Sequence, residues 1–235
     1  MRVSHLYVYP VKGCRAVALD EAVVGPLGLE QDRRFAFLGA DGRAVTQRDQ
    51  PLLATIEPTL EENALRLDFG GLAATAIAFD DFRKSSRVDV WGTPIPGRSV
   101  PLDAASEYLG MPVALVMLDA DARRSFADSK PVLVTTVEML SELALPGVGM
   151  DRFRPNVVLE GGAANWISLK GKNVVLESDK PCGRCEVTTI DQASGARRGP
   201  EPLRTLNERF AGNFGIYCRV ARSGRLRRGE TLSAA

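Results

Sequence analysis

A mainly β fold of the α+β class, with a few short helices, is what this sequence predicts. Three features lead there. Short runs rich in β-branched and aromatic residues recur along the chain, turn residues separate them at close spacing, and few stretches carry helix-boundary signals. Many short strands of this kind suit a barrel or rolled sheets.

Taken in order, Val3 to Val8 alternates as a strand until Pro10 and Gly13 break the run. Arg34 to Leu38 reads as a second strand, and Gly39-Ala40-Asp41-Gly42 as a hairpin turn into Ala44-Val45-Thr46. Ala64 to Phe69 and Arg87 to Trp91 are further short strands. Asp103 to Leu109 has the boundaries of a helix, with Asp103 as N-cap and Gly110 just past its end. Thr135-Thr136-Val137-Glu138 has capping-box spacing ahead of a second helix, Met139 to Leu145. Asn156 to Leu159, Asn173 to Leu176 and Cys185 to Ile190 return to strand, and Pro202 to Phe210 is the third helix. Phe214 to Ala221 and Glu230 to Ser233, parted by a turn at Gly224, read as a closing hairpin. A domain division near residues 110–120 fits the length, although composition does not mark it.

Bulk properties narrow the function. A formal net charge of +1 gives no bulk pull toward nucleic acid or an anionic membrane, so any anion site must be built locally. The N-terminus alternates like a strand and lacks a secretory apolar core. No apolar run approaches the roughly 20 residues of a spanning helix. Four unevenly spaced cysteines do not form a secreted disulfide framework, so a reducing, cytoplasmic setting is expected.

The most informative stretch is Pro181-Cys182-Gly183-Arg184-Cys185, followed by Val187, Thr188, Thr189 and Ile190. A thiolate is a soft metal ligand or a nucleophile, and a neighbouring guanidinium favours the charged form. In a thioredoxin-like redox pair the first cysteine opens a helix. Here β-branched residues predict a strand instead, which argues against that reading. Structural zinc needs four ligands, and the chain offers only Cys14, Cys182, Cys185, Cys218 and His5, without a second close pair. Buried inert thiols are a third reading. A single-cysteine metal or cofactor ligand leads.

Basic residues recur at the ends of the expected strands. Lys12 shares a turn with Gly13, Arg33 and Arg34 open the second strand, Arg48 follows the third, Arg152 and Arg154 flank Phe153, and Arg184 lies between the cysteines. A barrel would gather such residues at one rim, where guanidinium forks suit phosphate and planar polar rings. A thiolate among phosphate-directed cations points to an anionic cofactor that also carries a metal.

These residues resemble the MOSC-domain proteins, and among them the mitochondrial amidoxime-reducing component and its bacterial relatives. The resemblance rests on Tyr9-Pro10-Val11-Lys12-Gly13-Cys14, Gly28-Leu29, Asp32-Arg33-Arg34-Phe35, Val45-Thr46, Phe153-Arg154-Pro155-Asn156 and the Cys182–Cys185 stretch with Thr188-Thr189. Glu201 to Leu206, Phe214-Gly215 and Gly229-Glu230 complete it, in order and over nearly the whole chain. It implies an N-terminal MOSC-type β domain over residues 1–115 and a MOSC β-barrel over residues 116–235.

The resemblance also implies a molybdenum cofactor (Mo-molybdopterin) whose metal takes one protein thiolate, at Cys185 rather than Cys182. Lys12, Gly13, Arg34, Arg154 and Asn156 match the family's cofactor-binding positions, with Arg184 beside the ligand and Thr136 and Asp128 as further lining. Cys14 and Cys182 are expected to pack or polarise nearby. Pyridoxal phosphate binding is not expected.

The implied reaction is a two-electron reduction of N-hydroxylated small molecules such as amidoximes. The cofactor performs the redox step while the protein orients the substrate. Asp191 is a candidate proton donor by proximity alone, and a turn-capping role suits it better. Some bacterial relatives carry a C-terminal iron–sulfur domain, and this sequence has neither that cysteine cluster nor a dinucleotide fingerprint. A separate electron-donor protein of ferredoxin, flavodoxin or cytochrome type is therefore expected, with no nucleic-acid or membrane partner. Two other readings stay open: a carrier of molybdenum cofactor, and a sulfur-transfer protein with a persulfide on Cys185.

Overall fold

Val3, Leu6 and Val8 are buried along Arg2–Val8, so the alternation read from the sequence gives the strand its inner face. The computed structural model describes residues 1–162 and 164–235. Among the described residues the protein is mostly β, arranged in four sheets with three short α-helices.

The largest sheet has eight strands, in the order Ser233–Ala234, Ser168–Lys170, Val175–Gly183, Asn213–Arg222, Val132–Thr136, Val157–Glu160, Arg2–Val8 and Val17–Leu19. Only Val132–Thr136 and Val157–Glu160 run parallel, and the helix Val137–Leu143 makes their crossover. Val134, Val157, Leu159, Leu169, Leu176 and Cys218 meet beneath this sheet in one apolar core. A second, antiparallel sheet takes Phe35–Gly39, Val113–Leu118, Thr93–Pro101 and Lys84–Val90. Phe35, Phe37, Leu65, Leu67 and Leu115 lie in a separate core of the N-terminal half. Pro94 and Pro96 are tolerated in Thr93–Pro101 because Val113–Leu118 pairs with it only from Gly97 onward.

The segment Tyr9–Cys14 ties the two large sheets together. Phe35 N donates to Pro10 O at 2.9 Å, Lys12 N to Phe35 O at 2.8 Å, and Arg33 N to Tyr9 O at 2.9 Å. The site forms along this seam.

Several expected elements differ. Cys185–Ile190 is not a strand: the strand ends at Gly183, and Glu186–Thr189 is a single 3₁₀ turn with Cys185 at its N-cap. Thr188 and Thr189 turn their hydroxyls back onto the carbonyls of Cys185 and Glu186 at 2.9 and 2.7 Å. That local bonding outweighs their β preference. The second helix begins two residues early, at Val137, because Thr136 rather than Thr135 caps it by accepting from Met139 N at 3.1 Å. Leu102, not Asp103, is the N-cap of Asp103–Leu109, whose end at left-handed Gly110 is as expected. Ala44–Thr46 makes only an isolated bridge to Leu38. The closing hairpin is absent: Asn213–Arg222 joins the large sheet, while Gly224–Arg227 crosses to pair with Glu21–Gly25. Gly224 permits that crossing, since a Cβ there would lie 2.4 Å from Asn173 O.

Candidate functional site: a thiol in a cationic cleft

Cys185 is half-buried in a cleft where the two large sheets meet. Three contacts fix its backbone. Arg184 N donates to Gly212 O at 2.8 Å, Thr188 N donates to Cys185 O at 3.0 Å, and buried Arg152 donates from Nε to Thr188 O at 2.7 Å. Its sulfur receives Arg48 Nη1 at 3.2 Å, across the seam. The other three cysteines are buried, and all four are free.

Lys12, Arg33, Arg48, Lys130, Arg154 and Arg184 line the cleft, against a single carboxylate, Asp128. Six cations to one acid in a chain of net charge +1 is a locally built anion site. Lys12 is buried and gives its Nζ protons to Phe126 O at 3.0 Å and to Asp128. Burial lowers its proton affinity, with Asp128 opposing that shift. Burial would raise the Asp128 carboxyl, but the charge and hydrogen bond of Lys12, with Trp91 Nε1 at 3.0 Å, hold it below the usual carboxylate range.

Arg154 sits at φ +53, donates to Gln192 Oε1 at 3.1 Å and Cys14 O at 2.8 Å, and lies 4.2 Å over the Tyr9 ring. Burial brings its proton affinity down to about 10, so it stays charged at neutral pH. Asn156 accepts from Leu133 N at 3.0 Å and donates to Tyr7 O at 3.3 Å, which fixes the sheet edge beside it. Gly13 takes φ +85, and a Cβ there would lie 2.9 Å from Leu53 Cδ1 of the core, so only glycine fits this turn beside the cleft. Arg184 gives Nη1 to Cys182 Sγ and Nη2 to Phe153 O, both at 2.8 Å, while its buried Nε has no partner among the described residues.

Cys185, Lys12, Gly13, Arg154, Asn156, Arg184 and Asp128 therefore come together as expected from the sequence. Arg34 does not. Its Nη1 donates to Gln31 Oε1 at 3.1 Å, its guanidinium lies 5.0 Å over the Phe79 ring, and it lines a different hollow. Arg33 takes the place instead, because its left-handed φ of +50 turns it onto Tyr9, at 4.2 Å, and into an ion pair with Asp32. Thr136 is also outside the cleft, buried as a helix cap. Asp191 accepts from Ser194 N at 2.9 Å and from Ser194 Oγ at 2.8 Å, closing a turn. Arg48 was expected only among the basic residues gathered at the rim, and sequence reasoning did not place Lys130 or Tyr217 here. Asp32-Arg33 as an adjacent ion pair was the readable signal for Arg33.

The arrangement can hold a multiply charged anion beside a thiol. Among the described residues no group of three or more His, Cys, Asp and Glu is placed to hold a metal ion, so the four-ligand zinc reading has no site. Among the described residues no helix is long and apolar enough to cross a membrane.

The MOSC N-terminal beta barrel domain matches residues 1–113, and the MOSC domain matches residues 121–233. Mitochondrial amidoxime-reducing component 1 of Xenopus laevis is 30% identical, over 98% of this chain and 81% of that protein. Mitochondrial amidoxime reducing component 2 of Bos taurus is 28% identical, over 98% of this chain and 82% of that protein. Molybdenum cofactor sulfurase of Danio rerio is 26% identical over 92% of this chain, which corresponds to 31% of the sulfurase.

Proposed function

The chain belongs to the MOSC family, and from that membership we propose that it holds Mo-molybdopterin in the cationic cleft and reduces N-hydroxylated compounds such as amidoximes. The observation that carries this reading is a half-buried thiol facing a cleft of six cations and one carboxylate.

The residues fit the group. Cys185 offers a single soft ligand, suited to a metal that brings its other donors with it. Buried Lys12 and half-buried Arg33 and Arg154 supply positive charge for a phosphate. The unpartnered Nε of Arg184 is a donor left over for an acceptor in the cleft. When bound, the cofactor supplies the two-electron redox chemistry. Two electrons and two protons convert an amidoxime to an amidine and water, with electrons from a separate donor protein.

The chain's own residues hold and shape the site. Arg184 clamps Cys182 to the carbonyl of Phe153, which sets the loop that carries Cys185. Asp128, held ionised by Lys12, serves as a hydrogen-bond acceptor rather than an acid. Asp191 is committed to its turn.

Molybdenum and pterin content, with amidoxime reduction by an artificial reductant, tests the reading in wild type, Cys185→Ala and Cys182→Ala. Cys185→Ala should lose N–O reduction while Cys182→Ala keeps part of it. Full activity in both variants sinks the assignment.

A further inference from the structure

Trp91 occupies the first corner of the two-residue turn between Lys84–Val90 and Thr93–Pro101, at φ +57, followed by Gly92 at φ +77. Two left-handed residues in succession are the usual geometry of a tight hairpin turn, and Asn-Gly fits it best. An indole there is strained, and it gains little from burial because Trp91 is 63% exposed. Its ring is nonetheless fixed in place. Nε1 donates to Asp128 Oδ1 at 3.0 Å, and the Arg48 guanidinium lies 4.4 Å from the ring centroid.

Lys12, Thr46 and Arg48 line both the cationic cleft and an adjoining hollow of about 640 Å³, with Asp128 on the cleft side and Trp91 on the side of the hollow. That size falls within the range of about 300–1,000 Å³ common for small-molecule sites. The hollow differs in character from the cleft: Ala44, Val45 and Met111 give it an apolar side, and Asp49 and Asp89 line it as well.

Arg48 shows what the indole accepts. Its guanidinium is a planar N–C–N group that lies over the indole and reaches Cys185 Sγ at 3.2 Å. An amidoxime, and the amidine it yields, carry the same planar N–C–N unit. We propose that Trp91 is the substrate platform: the N–C–N plane of an amidoxime-class substrate stacks on its indole, in the place held by the Arg48 guanidinium. The substituent then lies in the hollow against Ala44, Val45 and Met111. This rests on the reading of the site as N–O reductive and deepens it, since it selects planar, conjugated N-hydroxylated bases with a compact apolar or aromatic substituent.

The chain has two tryptophans, Trp91 and buried Trp166, so ligand quenching seen in the wild type and lost in Trp91→Asn belongs to Trp91. Benzamidine and benzamidoxime are titrated into the holoprotein by intrinsic fluorescence and by calorimetry, in wild type, Trp91→Asn and Trp91→Phe. Asparagine suits the turn and removes the platform, so the variant folds. Both ligands should quench the wild-type emission. Affinity should fall about tenfold in Trp91→Asn and be partly kept in Trp91→Phe, which retains an aromatic face. Equal affinity in wild type and Trp91→Asn, or no binding to wild type, overturns the proposal. The N–O reductive reading is judged separately, by whether the wild type reduces hydroxylamine, which has no plane to stack.

Discussion

Arg48 Nη1 lies 3.2 Å from Cys185 Sγ although 137 residues separate them in the chain, and this contact joins the two halves of the protein at the sulfur. Arg48 lies in the loop after Phe35–Gly39 of the N-terminal half, and Cys185 follows Val175–Gly183 of the large sheet. The thiol therefore sits where cations from both halves converge.

Cys185 should be the one thiol open to reagent. Cys14, Cys182 and Cys218 are buried, and burial pushes the Cys218 thiol up to about 12 and also raises that of Cys14. A colorimetric thiol titration of the cofactor-free native protein at pH 8 should show one fast-reacting cysteine. Cys185→Ser should abolish the fast phase, whereas Cys182→Ser should leave it. Two fast thiols in the wild type would contradict this placement.

Arg154→Ala should lower both stability and cofactor occupancy. The side chain is hydrogen-bonded to Cys14 O and Gln192 and stacks on Tyr9, so its loss strands polar partners in the seam. We expect a cost of about 2 kcal/mol in denaturant unfolding. Arg154→Lys should recover charge but not the two-pronged contact, and so should restore occupancy only in part. Unchanged molybdenum content in Arg154→Ala would remove this arginine from the anion site.

The pairing of Lys12 with Asp128 predicts an acid limb in stability. Burial works against the Asp128 charge, but Lys12, Trp91 and Arg33 hold its carboxyl below the ordinary range. A carboxyl lowered in the folded state contributes stability that is complete above its unfolded value of about 4 and is lost as pH falls through the lowered one. Asp128→Asn should therefore flatten the fall in melting temperature below about pH 4. At pH 7 its cost should be only about 1 kcal/mol, because the Asp128 side chain remains 55% exposed and solvent screens the pair. A wild-type acid limb retained in Asp128→Asn would contradict the pairing.

Asp191→Ala separates turn closure from proton transfer. Its carboxylate accepts from Ser194 N, Ser194 Oγ and Ala193 N, so its removal should cost about 1 kcal/mol of stability. The pH profile of amidoxime reduction should not move. A shifted profile would restore Asp191 as a proton donor.

Much of this arrangement could be read from the residues. Alternation marked Arg2–Val8 and Ala64–Asp68, Gly110 marked the end of Asp103–Leu109, and the cysteine stretch with Lys12, Arg154 and Asn156 marked the cleft. What failed did so where local chemistry competes with propensity. Thr188 and Thr189 favour strands in isolation, yet their hydroxyls bond backward and close a turn after Cys185. Arg33 and Arg34 are chemically alike, and only a left-handed backbone angle at Arg33 decides which one reaches the cleft. Trp91 read as the last residue of a strand because an indole has a high β preference, and Gly92 was the one local sign of the turn it occupies. Long-range strand partners, such as Gly224–Arg227 with Glu21–Gly25, depend on the whole sheet and leave little local trace.

The most direct measurement is X-ray absorption at the molybdenum edge of cofactor-loaded protein, wild type against Cys185→Ser. One fewer sulfur neighbour around molybdenum is expected in the variant, with the pterin content of any loaded fraction unchanged. An identical sulfur count in the two proteins would contradict metal ligation by Cys185.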